Sequence, residues 1–264
     1  MRDFVLFGID LQNAFGEEGN PLCVPGAPED MARISELIDK HSCNIKDIVL
    51  TLDTHEVDHV GHPGWWKRKD GSEPAPFTPV TFDMVENGEI TPKDLTNKEH
   101  ALEYLSALDS VMIWPVHCVP GTRSYELVDI VENAVFDWES SEHNKVTLVK
   151  KGFQKDVESF GVFSAEYHDG SLGCGFNDQL LANLTYRNLP IVVVGEALSH
   201  CVRRSVQQLA VGLAQNNIDV EIILVRDCMS NVPGFSEQGD LFLAESADHG
   251  IRVCTLDTLE EALA

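Results

Sequence analysis

The sequence predicts an α/β protein: one domain spanning residues 1–264, with a six-stranded, mostly parallel sheet covered by helices on both faces. Three observations carry that expectation. Short β-branched runs recur along the chain, and a helix-length segment separates most of them. In one such segment Val202, Val206, Leu209, Val211 and Leu213 are spaced to lay a helix on a sheet. Hydrophobic residues make up 43 % of the 264 residues, enough for a substantial core despite the acidity. Alternation of strand and helix is the signature of parallel strands joined by crossover helices.

In chain order, the expected strands are residues 4–9, 48–52, 111–116, 146–149, 191–194 and 221–225. The expected helices are 28–41, 123–138, 176–187, 201–215 and 235–249. Residues 56–95 break this rhythm. They form an insertion rich in Pro, Gly, Trp and polar residues, read as an ordered loop because of the paired Trp65 and Trp66. Thr96-Asn97-Lys98-Glu99 then reads as a capping box opening a helix through Leu108.

The charge balance narrows the function classes. With 43 acidic against 19 basic residues, the formal charge is −24. Such a surface does not neutralise nucleic-acid phosphates or dock to anionic lipid. No run approaches the ~18 apolar residues of a membrane helix, and the first residues read as a strand rather than a leader. The seven cysteines, at 23, 43, 118, 174, 201, 228 and 254, are scattered without CxxC spacing. An odd, scattered set fits a reducing cytoplasm and free thiols.

In open parallel sheets ligands bind beyond the C-terminal strand ends, so the residues that follow each strand are the first to consider. They are Asp10, then Asp53 and His55, then His117 and Cys118, then Lys150 and Lys151, and after a short turn Cys201. Asp227 after the sixth strand reads equally well as a structural cap. Cys201 is expected at a helix N-terminus, where the dipole and free N–H groups favour a thiolate and could hold an oxyanion. Cys118 precedes a Pro-Gly turn instead, and is assigned to packing. Asp10 could take the thiol proton and pass it to a leaving amine. Lys151 would lower the pKa of both groups by its charge. Asp53 and His55, two apart at a strand end, share a face. With His117 they could form an Asp-His-His metal site, His59 or His62 adding a fourth ligand.

Ile9-Asp10-Leu11-Gln12-Asn13-Ala14-Phe15, Asp53-Thr54-His55, Pro115-Val116-His117-Cys118-Val119-Pro120-Gly121-Thr122, Lys151-Gly152 and the stretch from Gly195 to Val202, in this order, resemble the isochorismatase-like cysteine hydrolases, and among them the nicotinamidases and pyrazinamidases. The resemblance implies a catalytic triad of Asp10, Lys151 and Cys201. It implies a divalent metal at Asp53, His55 and His117, zinc ahead of iron or manganese, with His59 where some members add a ligand. It also implies a cis bond between Glu196 and Ala197, whose region forms an oxyanion hole with the Cys201 N–H, and Phe15 against an aromatic substrate. The implied reaction is hydrolysis of nicotinamide to nicotinate and ammonia through a thioester, a step of NAD salvage. The partners would be a small amide and a second copy of the chain as a homo-oligomer. A hydrolase of another carbamoyl or ureido compound and a non-catalytic metal- or ligand-binding scaffold are the alternatives. Three features depart from the pattern: Glu196 in place of an aliphatic residue, Thr54 in place of an aromatic one, and the long insertion.

Overall fold

The structure is a computed structural model that describes residues 1–142, 145–167 and 175–264. Cys174, expected to be a spectator, lies outside the described residues. Ten strands and the helices between them follow in the order β1 (Phe4–Ile9), α1 (Asn13–Gly16), α2 (Ala27–His41), β2 (Ile45–Asp53), β3 (Trp66–Arg68), β4 (Pro79–Thr81), α3 (Phe82–Glu86), β5 (Ile90–Pro92), α4 (Lys98–Leu108) and β6 (Ser110–Met112). The second half runs α5 (Asp129–Glu142), β7 (Val146–Lys151), α6 (Asp178–Thr185), β8 (Ile191–Gly195), α7 (Arg203–Gln215), β9 (Ile222–Val225), α8 (Ser236–Glu245), β10 (Arg252–Cys254) and α9 (Leu259–Ala262).

Six strands form one sheet in the order β10-β9-β8-β1-β2-β7, and every neighbouring pair is parallel. Side chains alternate between its two faces, as a period of two requires. Phe4, Leu6, Ile48, Leu50, Val192, Val194 and Ile223 pack with Met31, Ile34, Leu37 and Ile38 of α2 and with Val131 and Trp138 of α5. Val5, Phe7, Ile9, Val49, Val193 and Leu224 pack on the other side with Leu180, Leu181 and Leu184 of α6 and with Val206, Leu209 and Leu213 of α7. Val211 is exposed: two residues beyond Leu209, it lies on the far side of α7.

The expected third strand, 111–116, is not in this sheet. Only Ser110–Met112 is a strand, antiparallel to β4 of the insertion. Pro115 has no N–H to give a ladder, and the backbone of Ile113 and Trp114 is bonded instead to Phe77, Thr78 and Gly61. The sixth place in the sheet goes to β10, three residues long and too short to show a period. The helix expected from 123 begins at Asp129, after a 3-10 turn at Arg123–Tyr125. Nor does Thr96 cap α4: Asp94 accepts from the Thr96 N–H at 3.0 Å and opens a 3-10 turn ahead of it.

The insertion is more structured than a loop. β3 pairs with β5 and β4 with β6. With α3 and α4 they enclose a separate apolar cluster including Trp65, Trp66, Val80, Val85, Ile90, Tyr104 and Ile113. The two tryptophan N–H groups are satisfied inside it, Trp66 by the Val60 carbonyl and Trp65 by Asp156.

Candidate active site

The C-terminal ends of β1, β2 and β7 lie side by side and deliver Asp10, Asp53 and Lys151 to one point. All three are buried. Lys151 Nζ stands 3.0 Å from Asp10 Oδ2 and 2.8 Å from Asp53 Oδ1, and donates to the Ser159 carbonyl at 3.2 Å. Its fourth neighbour is Cys201 Sγ at 3.5 Å. Asp10 has a left-handed backbone (φ 50°) and is fixed by Thr51, whose hydroxyl donates to Asp10 Oδ1 and accepts from the Asp10 N–H.

The chain reaches Cys201 differently from the expected helix start. After β8 the Glu196–Ala197 bond is cis, as the resemblance implied, and a π-helical turn at Leu198–Val202 precedes α7. Cys201 therefore sits within the tight turn, two residues before the α-helix begins.

Burial governs the proton affinities here. It penalises the Lys151 ammonium, but Asp10 and Asp53 outweigh that penalty and hold its pKa well above the ordinary lysine value. Burial raises Asp10 and raises the Cys201 thiol strongly. Lys151 acts in the expected lowering direction on both and does not overcome it. Asp53, also buried, is pulled well below the usual carboxylate range by His55 and Lys151. The resting thiol thus keeps its proton, and a base beside it is needed to remove it.

Asp53 divides its two oxygens. Oδ1 meets Lys151, while Oδ2 faces His55 Nε2 at 2.9 Å and His117 Nε2 at 3.4 Å. The other ring nitrogens point away, His55 Nδ1 to the Gly152 carbonyl and His117 Nδ1 to the Pro115 carbonyl, each at 2.8 Å. Such backbone partners fix the tautomer that leaves Nε2 free to bind a metal. The ligand atoms of Asp53, His55 and His117 lie within 4.8 Å of one another, an N/O donor set that fits a divalent ion. His59 does not join this trio. It lies over His55 (ring centroids 4.1 Å apart) and groups with His55 and Glu158. His62 sits behind, its Nε2 3.1 Å from His117 Nδ1.

Above these groups opens a pocket walled largely by apolar and aromatic side chains. Its walls include Phe15, Trp114, Phe160, His200 and Val232, and Glu158 reaches it beside His55. Trp65 and Trp66 do not reach it and lie in the insertion core. His200 packs against Trp114, Phe160 and Phe235, and burial lowers its pKa to about 4, so the ring is neutral near pH 7. Cys118 is buried in an apolar cluster with Ala14, Phe15 and Trp114. Lys150 is exposed, and Asp227 accepts from the Leu256 N–H at 2.9 Å in a structural role. Glu158 and Phe160 escaped the sequence reading because they lie in irregular chain. His200 carried a signal in its place beside Cys201.

No family model matches the chain. The nicotinamidase of Saccharomyces cerevisiae is 27 % identical over 200 residues, covering 75 % of this chain and 77 % of the relative. Among solved structures, the yeast nicotinamidase bound to the inhibitor nicotinaldehyde aligns with a TM-score of 0.66 and 22 % identity, over 95 % of this chain and 99 % of that one. A pyrazinamidase of Pyrococcus horikoshii in complex with zinc aligns with a TM-score of 0.57 and 20 % identity, over 96 % and 99 %. In sequence the chain is thus similar to nicotinamidases, and its fold is that of the nicotinamidase and isochorismatase-family structures.

Proposed function

We propose that this protein is a metal-containing cysteine amidohydrolase that converts nicotinamide to nicotinate and ammonia, with Asp10, Lys151 and Cys201 as its catalytic residues. One observation carries the reading: a thiol, a carboxyl and an ammonium group in mutual contact at the floor of an aromatic-walled cavity, beside a cluster of metal-capable side chains.

In this mechanism Asp10 removes the Sγ proton as Cys201 attacks the carboxamide carbon. The negative charge that develops on oxygen is held by the backbone N–H groups of Ala197 and Cys201; the Glu196 N–H, expected to share in this, is given to the Ile9 carbonyl at 2.9 Å instead. The tetrahedral species collapses with cleavage of the C–N bond, and Asp10 returns the proton to nitrogen so that ammonia leaves. Water then enters, loses a proton to Asp10, and attacks the thioester. Nicotinate departs and Cys201 recovers its proton. Lys151 stays charged throughout and balances Asp10, Asp53 and the transient thiolate. Phe15 and Trp114 pack against the pyridine ring.

Asp53, His55 and His117 would hold a divalent ion, with zinc first because it suits an N/O donor set and accompanies the Pyrococcus horikoshii pyrazinamidase. Bound there, the ion would take the ring nitrogen, directly or through water, and so fix the amide over Cys201. The free thiols of the described cysteines favour the cytoplasm as its location. No helix among the described residues is long and apolar enough to cross a membrane.

Ammonia release from nicotinamide tests the reading. The protein is expected to turn over nicotinamide, Cys201→Ala to lose that activity, and chelation to suppress it until zinc is restored. Wild-type turnover by Cys201→Ala would refute the nucleophile, and indifference to metal stripping would refute the metal's part.

A further inference from the structure

The side chain of Glu196 is fully buried, yet it has no part in the chemistry above. It follows Gly195 at the end of β8 and opens the turn that carries Ala197 and Cys201. Among the described residues no Lys or Arg forms an ion pair with it, so an ionised carboxylate here would stand uncompensated in a dry site. Its neighbours are specific. Oε2 accepts from the Ser230 N–H at 3.2 Å, and the Ser230 hydroxyl donates to Oδ2 of Asp30 on α2, so one serine holds the two carboxyl groups together.

Two carboxyl groups in such contact do not both ionise; one keeps a proton. Asp30 has the partners of an anion: Arg33 donates to Oδ1 at 3.0 Å, and the Ser230 hydroxyl donates to Oδ2. Among the described residues no donor reaches Glu196 Oε1. That atom is satisfied if it bears the proton and donates it to Asp30. The proton affinities agree in order: burial raises Asp30 above the ordinary aspartate value, while burial and next the charge of Asp30 hold Glu196 well above the ordinary glutamate value.

Ser230 links this pair to the site. Its carbonyl accepts the Leu198 N–H at 2.8 Å, and two residues on the Val232 N–H donates to the Ser199 hydroxyl at 3.1 Å. The 230–232 segment therefore grips the turn on both sides of Ala197.

We propose that Glu196 is a positioning residue: a neutral carboxylic acid that donates to Asp30, accepts from Ser230, and fastens the backbone around the substrate carbonyl to α2. The inference rests on the reading of Cys201 as nucleophile. It also gives the site a pH dependence. Loss of the Glu196 proton sets two carboxylates against each other and loosens the grip on the turn. The other titratable groups facing the pair are Arg33 and Glu29 on α2, Cys23 before it, and Asp227 and Cys228 after β9. Of these only Arg33 is cationic, and it is already engaged with Asp30.

The test compares wild type with Glu196→Gln, which keeps a donor and an acceptor but cannot ionise, and Glu196→Leu, which has neither. A group whose pKa is raised on folding contributes stability that is full below its unfolded value and is lost as pH rises toward the folded one. As pH rises above the ordinary glutamate range the wild-type Tm is therefore expected to fall relative to that of Glu196→Gln. For nicotinamide hydrolysis near pH 6, Glu196→Leu is expected to lose about tenfold in kcat with KM within about twofold, and Glu196→Gln to restore most of the loss. Parallel Tm curves for wild type and Glu196→Gln would overturn the proton assignment, and this holds even if Glu196→Leu fails to fold. Wild-type kcat in Glu196→Leu would overturn the positioning role. If the wild type itself does not hydrolyse nicotinamide, the Tm comparison and the rate of Cys201 alkylation, expected to change by more than about threefold in Glu196→Leu, still decide the inference.

Discussion

Replacing Lys151 by Met tests how the site keeps its charges. Methionine fills much of the same volume but carries no charge, so packing is largely conserved while the electrostatics change. The ammonium stands 3.5 Å from Cys201 Sγ; at an effective dielectric constant of ~20 its attraction for a thiolate is about 5 kcal/mol. Losing that interaction when the sulfur is charged in the transition state predicts a fall in kcat of at least about a thousandfold. Stability falls as well, because Asp10 and Asp53 lose their shared cation. Breaking a buried ion pair costs about 3–5 kcal/mol, which lowers Tm by on the order of 10 °C in a chain of this size. Proton uptake by Asp10, whose pKa is already raised, softens that penalty but also removes the base. The assays are ammonia release, thermal melting, and iodoacetamide labelling of Cys201 at fixed pH. A Lys151→Met protein that is labelled at the wild-type rate and turns over nicotinamide within tenfold of wild type would refute the assignment of Lys151 as counter-ion to the thiolate.

Cys118→Ala removes a thiol packed among apolar groups, and ammonia release is expected to stay within about threefold of wild type; a loss as large as that of Cys201→Ala would move the nucleophile. His117→Ala deletes one of three ligands of the proposed ion, so equilibrium dialysis should show zinc bound at one equivalent in wild type and much more weakly in the variant. His200 gives a pH signature of the opposite sign to that of Glu196. Its pKa falls on folding from 6.5 to about 4, so the stability it contributes is full above pH 6.5 and is lost as pH falls through 4, by about 3 kcal/mol in all. Glutamine cannot ionise, so the Tm of His200→Gln should decline less steeply than wild type over that interval, and an equal decline would show that the ring is not held neutral.

The part of the site legible in the sequence is the part set by strands. Asp10, Asp53 and Lys151 lie at or beside the ends of β1, β2 and β7, and parallel neighbours in register bring such ends together whatever the connecting helices do. His117 reached the same place by a route the sequence did not disclose. Its segment was expected as a strand of the main sheet, but its strand pairs with the insertion. That arrangement depends on β4, some thirty residues earlier, and nothing local to residues 111–116 announces it. Glu158 and Phe160 come from irregular chain, where no period marks an inward-facing position. β10 supplies the sixth strand by pairing Val253 and Cys254 with Leu224 and Val225 of β9, a tertiary contact that a segment of three residues does not announce. The insertion hid its strands for the same reason: each is three residues long and gains its stability from Trp65, Trp66 and Tyr104 packed between them.

In the proposed mechanism, the burial of the site is what fits a residue as ordinary as Asp10 for acid and base work. An exposed aspartate near pH 7 has little affinity for a proton, and an exposed thiol holds its own. Burial raises both Asp10 and Cys201, so Asp10 becomes a stronger base while the thiol becomes harder to ionise, and Lys151 draws both back down. The proton moved between them therefore stays within one buried cluster and the overall charge is conserved at each transfer. Thr51 holds one Asp10 oxygen, leaving Oδ2 on the side of Lys151 for the exchange. Asp53 is kept from competing, since His55 and Lys151 pull it far below the range in which it could take the proton. Two aspartates within reach of one lysine are thereby separated into a base that titrates and an anion that does not, and the separation follows from which side chains meet the second oxygen of each.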